Sequence, residues 1–356
     1  MQISAHKVRS AIGLAFAFGA ALVIAIGSFE VSVDNRLRFR PGAPSELANA
    51  NHPAAPRSQT LDTRFNPPVE YAHDEFGGRA ATTTARYERA RTVALVGDSF
   101  SYGDEREFPN TLQAKLADAL DANVVNFARA GSCSAYFAET VTEFRKRYRK
   151  PIDVLVVGLF PDMEVGDLPR VLATRQEYGR ITYRGLDMSP TAARALQESF
   201  WHRSLLGLEV SLRERSSTFN TLFPPRPSPA FAVSLRDTLT PAMFPDLLAS
   251  ILANLSALEA SSEVPPNRTV IWFAASLHDA GKRDSEYIRL SDTLWSEVSS
   301  ALRGRGYIVV DPRLDVGAGT DPFTRSGHYR PAAYEITARA VIPEVARILL
   351  DRHAAK

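Results

Sequence analysis

Ser99 is the residue of this chain best placed for chemistry. It follows Val93-Ala94-Leu95-Val96-Gly97-Asp98, an apolar, partly β-branched run that ends in glycine and aspartate. Such a run reads as a buried strand entering a turn. In a parallel α/β sheet, loops at the carboxyl ends of strands collect reactive groups, and a serine hydroxyl there meets a substrate rather than the core. The same residues also suit a plainer role, because Asp98 or Ser99 would cap a helix well. A serine attacks only when a base takes its proton, and histidine has the pKa for that work near neutrality. The chain has seven histidines. His6 precedes a long apolar run, His52 and His73 lie in or near a proline-rich stretch, and His353 sits in the carboxyl tail. His202, His278 and His328 remain as candidate bases.

The elements that must position these residues form an alternating series. Strand 93–97 precedes a helix at about 109–120, where Leu112, Leu116 and Leu120 share a face. Strand 123–127, a helix at 135–149 and strand 152–159 follow. The pattern loosens over 163–241, read as an insertion with short helices and the run Pro224-Pro225-Arg226-Pro227-Ser228-Pro229. It leaves the sheet beside Ser99, so Tyr178, Tyr183 and Trp201 are expected either to flank the site or to form the insertion's own core. Beyond it come a helix at 244–260, strand 269–275, a helix at 285–303, strand 306–311 and a closing helix at 332–351. Strands separated by helices of this length imply right-handed crossovers, hence a parallel sheet with helices on both faces.

Residues 10–29 carry no charge, and about 20 apolar helical residues span a membrane core. With Lys7 and Arg9 ahead of it, after a short tail at 1–9, this segment reads as a signal anchor that places the following domain on the extracytoplasmic side; cleavage at Ala25-Ile26-Gly27 would release it. Residues 30–72, holding Pro41, Pro44, Pro53, Pro56, Pro67 and Pro68, read as a tether to a domain at 73–351. A formal net charge of +2 argues against a nucleic-acid partner. Cys133 is the single cysteine, so intrachain disulfides and cysteine-based zinc sites are excluded. It reads as a small buried apolar residue. No cofactor is expected.

Gly97-Asp98-Ser99-Phe100 resembles the first sequence block of the SGNH (GDSL-type) hydrolase superfamily. Val124-Val125-Asn126-Phe127-Ala128-Arg129-Ala130-Gly131 is similar to the second block, the segment from Val154 to Asp162 falls where the third does, and Gly327-His328-Tyr329 resembles the last. Asp74-Glu75-Phe76-Gly77-Gly78-Arg79 and Glu107-Phe108-Pro109-Asn110 are similar to segments of the membrane-anchored branch, which includes alginate-type O-acetyltransferases. The resemblance implies a three-layer, flavodoxin-like α/β fold, Ser99 as nucleophile, His328 as general base, and the backbone N–H groups of Ser99 and Gly131 as an oxyanion hole. Two departures stand out. Pro161 falls where the superfamily has an asparagine donor, and Arg325 and Ser326 fall where it has the aspartate that orients the histidine. Asp321 is the nearest substitute for that aspartate, with Asp311, Asp315 or a Ser–His dyad as alternatives. The implied function is hydrolysis of an O-acylated, acetylated extracytoplasmic substrate such as a carbohydrate, through a serine acyl-enzyme. An O-acetyltransferase of an envelope glycan and an inactive SGNH-fold scaffold are the alternatives.

Overall fold

Three strands precede the α/β alternation: β1 (Gln59–Asp62), β2 (Val69–His73) and β3 (Arg79–Ala80), each antiparallel to the next. They are the first elements in a computed structural model that describes residues 56–62, 68–173, 179–183, 186–198, 239–276, 286–319, 321–324 and 327–354. The proposed membrane segment at 10–29, together with Tyr178, Trp201, His202 and His278, lies outside the described residues. Strands β4 (Thr92–Val96), β5 (Asn123–Asn126) and β6 (Val154–Leu159) come next. A separate hairpin of β7 (Ile181–Tyr183) and β8 (Leu186–Met188) precedes β9 (Thr269–Phe273) and β10 (Ile308–Val310).

One sheet runs in the order β1-β2-β3-β5-β4-β6-β9-β10. From β5 to β10 every pairing is parallel, as the alternation implied. β4 is the centre: Val93 lies between Val124 on one side and Val154 on the other. The chain goes from β4 outward to β5 and then crosses to β6, so strand order reverses beside β4. Open α/β sheets bind ligands at such a reversal, outside the carboxyl ends of the strands. Residues 93–96 are wholly buried, which explains why β4 is a continuous apolar run rather than an alternating one.

The antiparallel extension places residues 59–62 and 69–72, part of the stretch read as a tether over 30–72, in the sheet; residues 30–55 and 63–67 lie outside the described residues. Val69, Tyr71 and His73 are buried while Glu70 is exposed, the period-two signature of a half-covered strand. The prolines around this short run obscured it. β3 joins the sheet through Arg79 and Asn126.

Ten helices are described: α1 (Ser99–Tyr102), α2 (Leu112–Ala119), α3 (Ser134–Arg147), α4 (Pro161–Gly166), α5 (Leu168–Leu172), α6 (Pro190–Glu198), α7 (Phe244–Ser262), α8 (Glu286–Gly304), α9 (Arg313–Gly317) and α10 (Pro331–Ala354). Ala94 and Val96 pack with Phe137, Phe144, Ile251 and Trp295 of α3, α7 and α8. The alternate residues Val93 and Leu95 pack with Leu112, Leu116, Tyr334 and Val341 of α2 and α10. Helices therefore cover both faces, giving three layers. Leu168, Leu172, Ile181 and Ala193 join the first of these cores, so the described parts of the insertion are packing elements of the main domain.

Candidate active site

Two glycines bring the Ser99 turn onto the sheet. A Cβ on Gly97 would stand 2.2 Å from Ser101 Oγ, and one on Gly158 of β6 would stand 2.1 Å from the same atom. Only backbone without side chains lets α1 lie across the ends of β4 and β6. Asp98 caps this one-turn helix, its Oδ1 accepting from the Phe100 N–H at 3.0 Å. Burial pushes the Asp98 carboxyl up to about 7. Ser99 is the first residue of the turn and is half-buried. Its carbonyl accepts from the N–H groups of Gly103 and Asp104, both at 2.9 Å. The capping reading of Asp98 is therefore correct, and it leaves the Ser99 hydroxyl unused by the cap.

The loop after β5 is held against the same turn. Arg129 N–H donates to the Gly97 carbonyl at 2.9 Å, and Gly131 follows in the left-handed region at φ 73°, exposed to solvent. Cys133 precedes α3 but supplies no side-chain cap. Glu164 of α4 supplies it instead, accepting from Ser134 N–H at 2.8 Å and Ser134 Oγ at 2.7 Å. Asn254 of α7 donates to the same hydroxyl at 3.0 Å. Burial pushes the Glu164 carboxyl up to about 7 and the buried Cys133 thiol far above its ordinary range, which keeps that thiol protonated. Pro161 opens α4, a position where a missing N–H leaves no helical hydrogen bond broken. It offers no donor to an oxyanion.

His328 reaches this edge from the other end of the chain. Phe323 and Tyr329 form an isolated bridge, and Thr324 N–H donates to the His328 carbonyl at 2.7 Å. Tyr329 is buried, its hydroxyl accepting from Ala275 N–H at 2.6 Å beyond β9. Anchored on both sides, the His328 ring lies 5.6 Å from the ring of Phe100, the residue next to Ser99. Its Nδ1 is 2.6 Å from Glu105 Oε1, and its Nε2 is 4.0 Å from Asp104 Oδ2. Burial alone would lower the His328 pKa; the Glu105 hydrogen bond and the charges of Asp104, Glu105 and Asp98 outweigh it and leave it raised.

The acid beside the histidine is thus Glu105, 223 positions upstream, and Asp321 is elsewhere. Asp321 is 68% exposed and pairs with Arg330 at 3.1 Å. Asp311 is engaged with the Arg313 guanidinium at 2.9 Å, and Asp315 is exposed in α9. Proximity in sequence suggested Asp321, but its loop turns it to solvent. Glu105 was legible only as an acid in Gly103-Asp104-Glu105, a turn just behind the serine. Its backbone is left-handed at φ 61°, which costs a residue with a Cβ about 1–2 kcal/mol and is sustained where surrounding contacts demand it. Among the described residues no cluster of His, Cys, Asp or Glu is arranged to hold a metal ion.

No protein-family model matches the sequence, and no curated protein sequence matches it significantly. Solved structures are similar in chain arrangement. A lipolytic protein of the G-D-S-L family from Veillonella parvula gives a TM-score of 0.40 at 9% identity, over 71% of this chain and 97% of that one. TesA gives 0.39 at 14% identity, over 72% of this chain and 99% of that one. A catalytic mutant of Axe2, an acetylxylan esterase from Geobacillus stearothermophilus, gives 0.36 at 10% identity, over 72% of this chain and 94% of that one. These likenesses are of strand and helix arrangement and assign no activity.

Proposed function

We propose that this protein is a serine ester hydrolase of SGNH type, with Ser99 as nucleophile and His328 as general base. The observation that carries the reading is the histidine ring seated against the Ser99 turn, held by a carboxylate on Nδ1, at the sheet reversal where ligands bind. With Nδ1–H donated to that carboxylate, Nε2 carries the lone pair that a base needs.

In the reaction, Ser99 Oγ attacks the ester carbonyl carbon as Nε2 takes its proton. The carbonyl π electrons move to oxygen, and the oxyanion accepts hydrogen bonds from the N–H groups of Ser99 and Gly131. Collapse of the tetrahedral intermediate breaks the bond to the alcohol oxygen, which leaves with the proton from His328. Water then repeats the sequence on the acyl-serine and releases the acid. A side-chain donor in an oxyanion hole contributes about 10²–10³ in rate, and Pro161 supplies none, so turnover is expected below that of a three-donor site. The substrate class is an acetylated carbohydrate outside the cytoplasm, a reading supported by the apolar segment at 10–29 and by the resemblance of the sequence blocks.

Full-length protein in detergent, assayed with nitrophenyl acetate and acetylated xylan, tests this. Hydrolysis abolished by Ser99→Ala and by His328→Asn is the expected result. Folded protein that is no faster than Ser99→Ala on either substrate overturns it in favour of a scaffold.

A further inference from the structure

We infer that Glu105 is the positioning acid of the site, taking over from outside the His328 loop a task for which that loop has Arg325 and Ser326 just ahead of the histidine. The inference rests on the hydrolase reading and deepens it. Four observations converge. Glu105 Oε1 lies 2.6 Å from His328 Nδ1, hydrogen-bond range for a charged acceptor. Glu105 is only 7% exposed, so water competes little for that bond. Its backbone is held in the left-handed region, a conformation that points to an enforced position. And the loop that carries it is clamped by buried groups of the amino-terminal strands.

The clamp is specific. Tyr71 of β2 donates its hydroxyl to Asp104 Oδ1 at 2.7 Å and accepts from Glu105 N–H at 2.9 Å. Arg79 of β3, buried, donates to the carbonyls of Tyr102, Gly103 and Arg106, and its guanidinium lies over the Tyr71 ring at 4.6 Å. Three carbonyls on one planar guanidinium hold the turn on both sides of Glu105. The strands added to the parallel core thus hold the loop that holds the histidine.

The roles of the nearby acids divide by atom. Glu105 accepts from Nδ1, which places the lone pair on Nε2 and steadies the imidazolium when it forms. Asp104, 4.0 Å from Nε2, is tied to Tyr71 and adds charge without a hydrogen bond. Asp98 adds a further buried carboxyl on the Ser99 side, and Arg106 lies 4.0 Å from the second oxygen of Glu105.

The test is kcat and KM against pH for full-length wild type, Glu105→Gln and Glu105→Asp, with the His328 imidazole titrated by NMR. Its signal is the one missing from His328→Asn. Glu105→Gln is expected to lower kcat by about 10²–10⁴-fold with little change in KM, and to move both the acid limb of the profile and the His328 titration downward. An acid limb and a kcat within about threefold of wild type, with hydrolysis still abolished by Ser99→Ala, overturns the positioning role alone. No hydrolysis by wild type, with a His328 titration that still falls in Glu105→Gln, shows the ion pair without the chemistry and overturns both readings. If Glu105→Gln fails to fold, Glu105→Asp decides: it keeps the charge and shortens the reach, so kcat should fall while the acid limb stays. An unchanged kcat in that variant overturns the inference.

Discussion

At Gly158 the atoms leave no room for a side chain, and the Ser99 turn depends on that. A methyl group there would meet Ser101 Oγ at 2.1 Å and the Trp272 ring at 2.9 Å. Trp272 is fully buried and cannot swing aside, so the turn must lift. Overpacking of this kind costs about 1–3 kcal/mol. Gly158→Ala is expected to lower the urea midpoint accordingly and to reduce kcat, since Ser99 rides on the lifted turn. Adding Ser101→Gly removes the closer clash, and the double variant should recover more activity than stability, because the contact with Trp272 remains. Equal loss in the single and double variants would place the effect away from the turn.

Among the elements, the short β2 and β3 have a role out of proportion to their length. Tyr71 links β2 to both Asp104 and Glu105. Tyr71→Phe keeps the ring stacked on Tyr102, 5.7 Å away, and removes only the hydroxyl. A buried hydrogen bond to a charged group is worth about 1.5–3 kcal/mol; the expected results are a stability loss of that order and a fall in kcat of about tenfold or more, with KM little changed. Activity at the wild-type level despite the stability loss would show that Arg79 suffices to hold the acid loop. The start of α3 has a comparable dependence on α4, since Glu164 caps it from outside.

Across the whole molecule, buried titratable groups set opposing pH responses. Glu164 rises from an ordinary 4.5 to about 7 on folding, and Asp98 from 3.8 to about 7. Each raised carboxyl contributes stability that is complete below its unfolded pKa and is lost as pH rises through about 7. His73, buried and bonded to Tyr102 at 2.8 Å, is lowered by burial to about 4. Its contribution is complete above 6.5 and is lost as pH falls toward 4. Glu164→Gln is expected to remove one alkaline-side loss, on the order of 2–3 kcal/mol for a shift of this size, so its stability should fall less than that of wild type between pH 5 and 7.5. Urea unfolding at half-unit pH steps checks this. A slope identical to wild type would mean that Glu164 is ionised in the folded protein throughout.

The ends of the strands were legible in the chain alone. Apolar runs at 93–96, 124–125 and 154–157 each bury both faces, and the helices between them leave parallel pairing as the only short connection. From that alone Ser99 and Gly131 come to one sheet edge, because strand termini are local properties. The same local signal located the segment around His328 just ahead of α10. The acid that meets the histidine was set by packing between distant segments. Asp321 is seven residues from His328, yet its loop directs it to Arg330; Glu105 is far away in sequence and arrives because β2 and β3 grip its turn. Those strands were hidden for a related reason: β2 follows Pro67-Pro68, β3 is two residues long, and both are stable only against a sheet that residues further along supply. Gly158 was equally silent, since its close approach to Ser101 exists only once the strands have paired. Periodicity records how each segment meets water, and it carries no record of which loops meet one another.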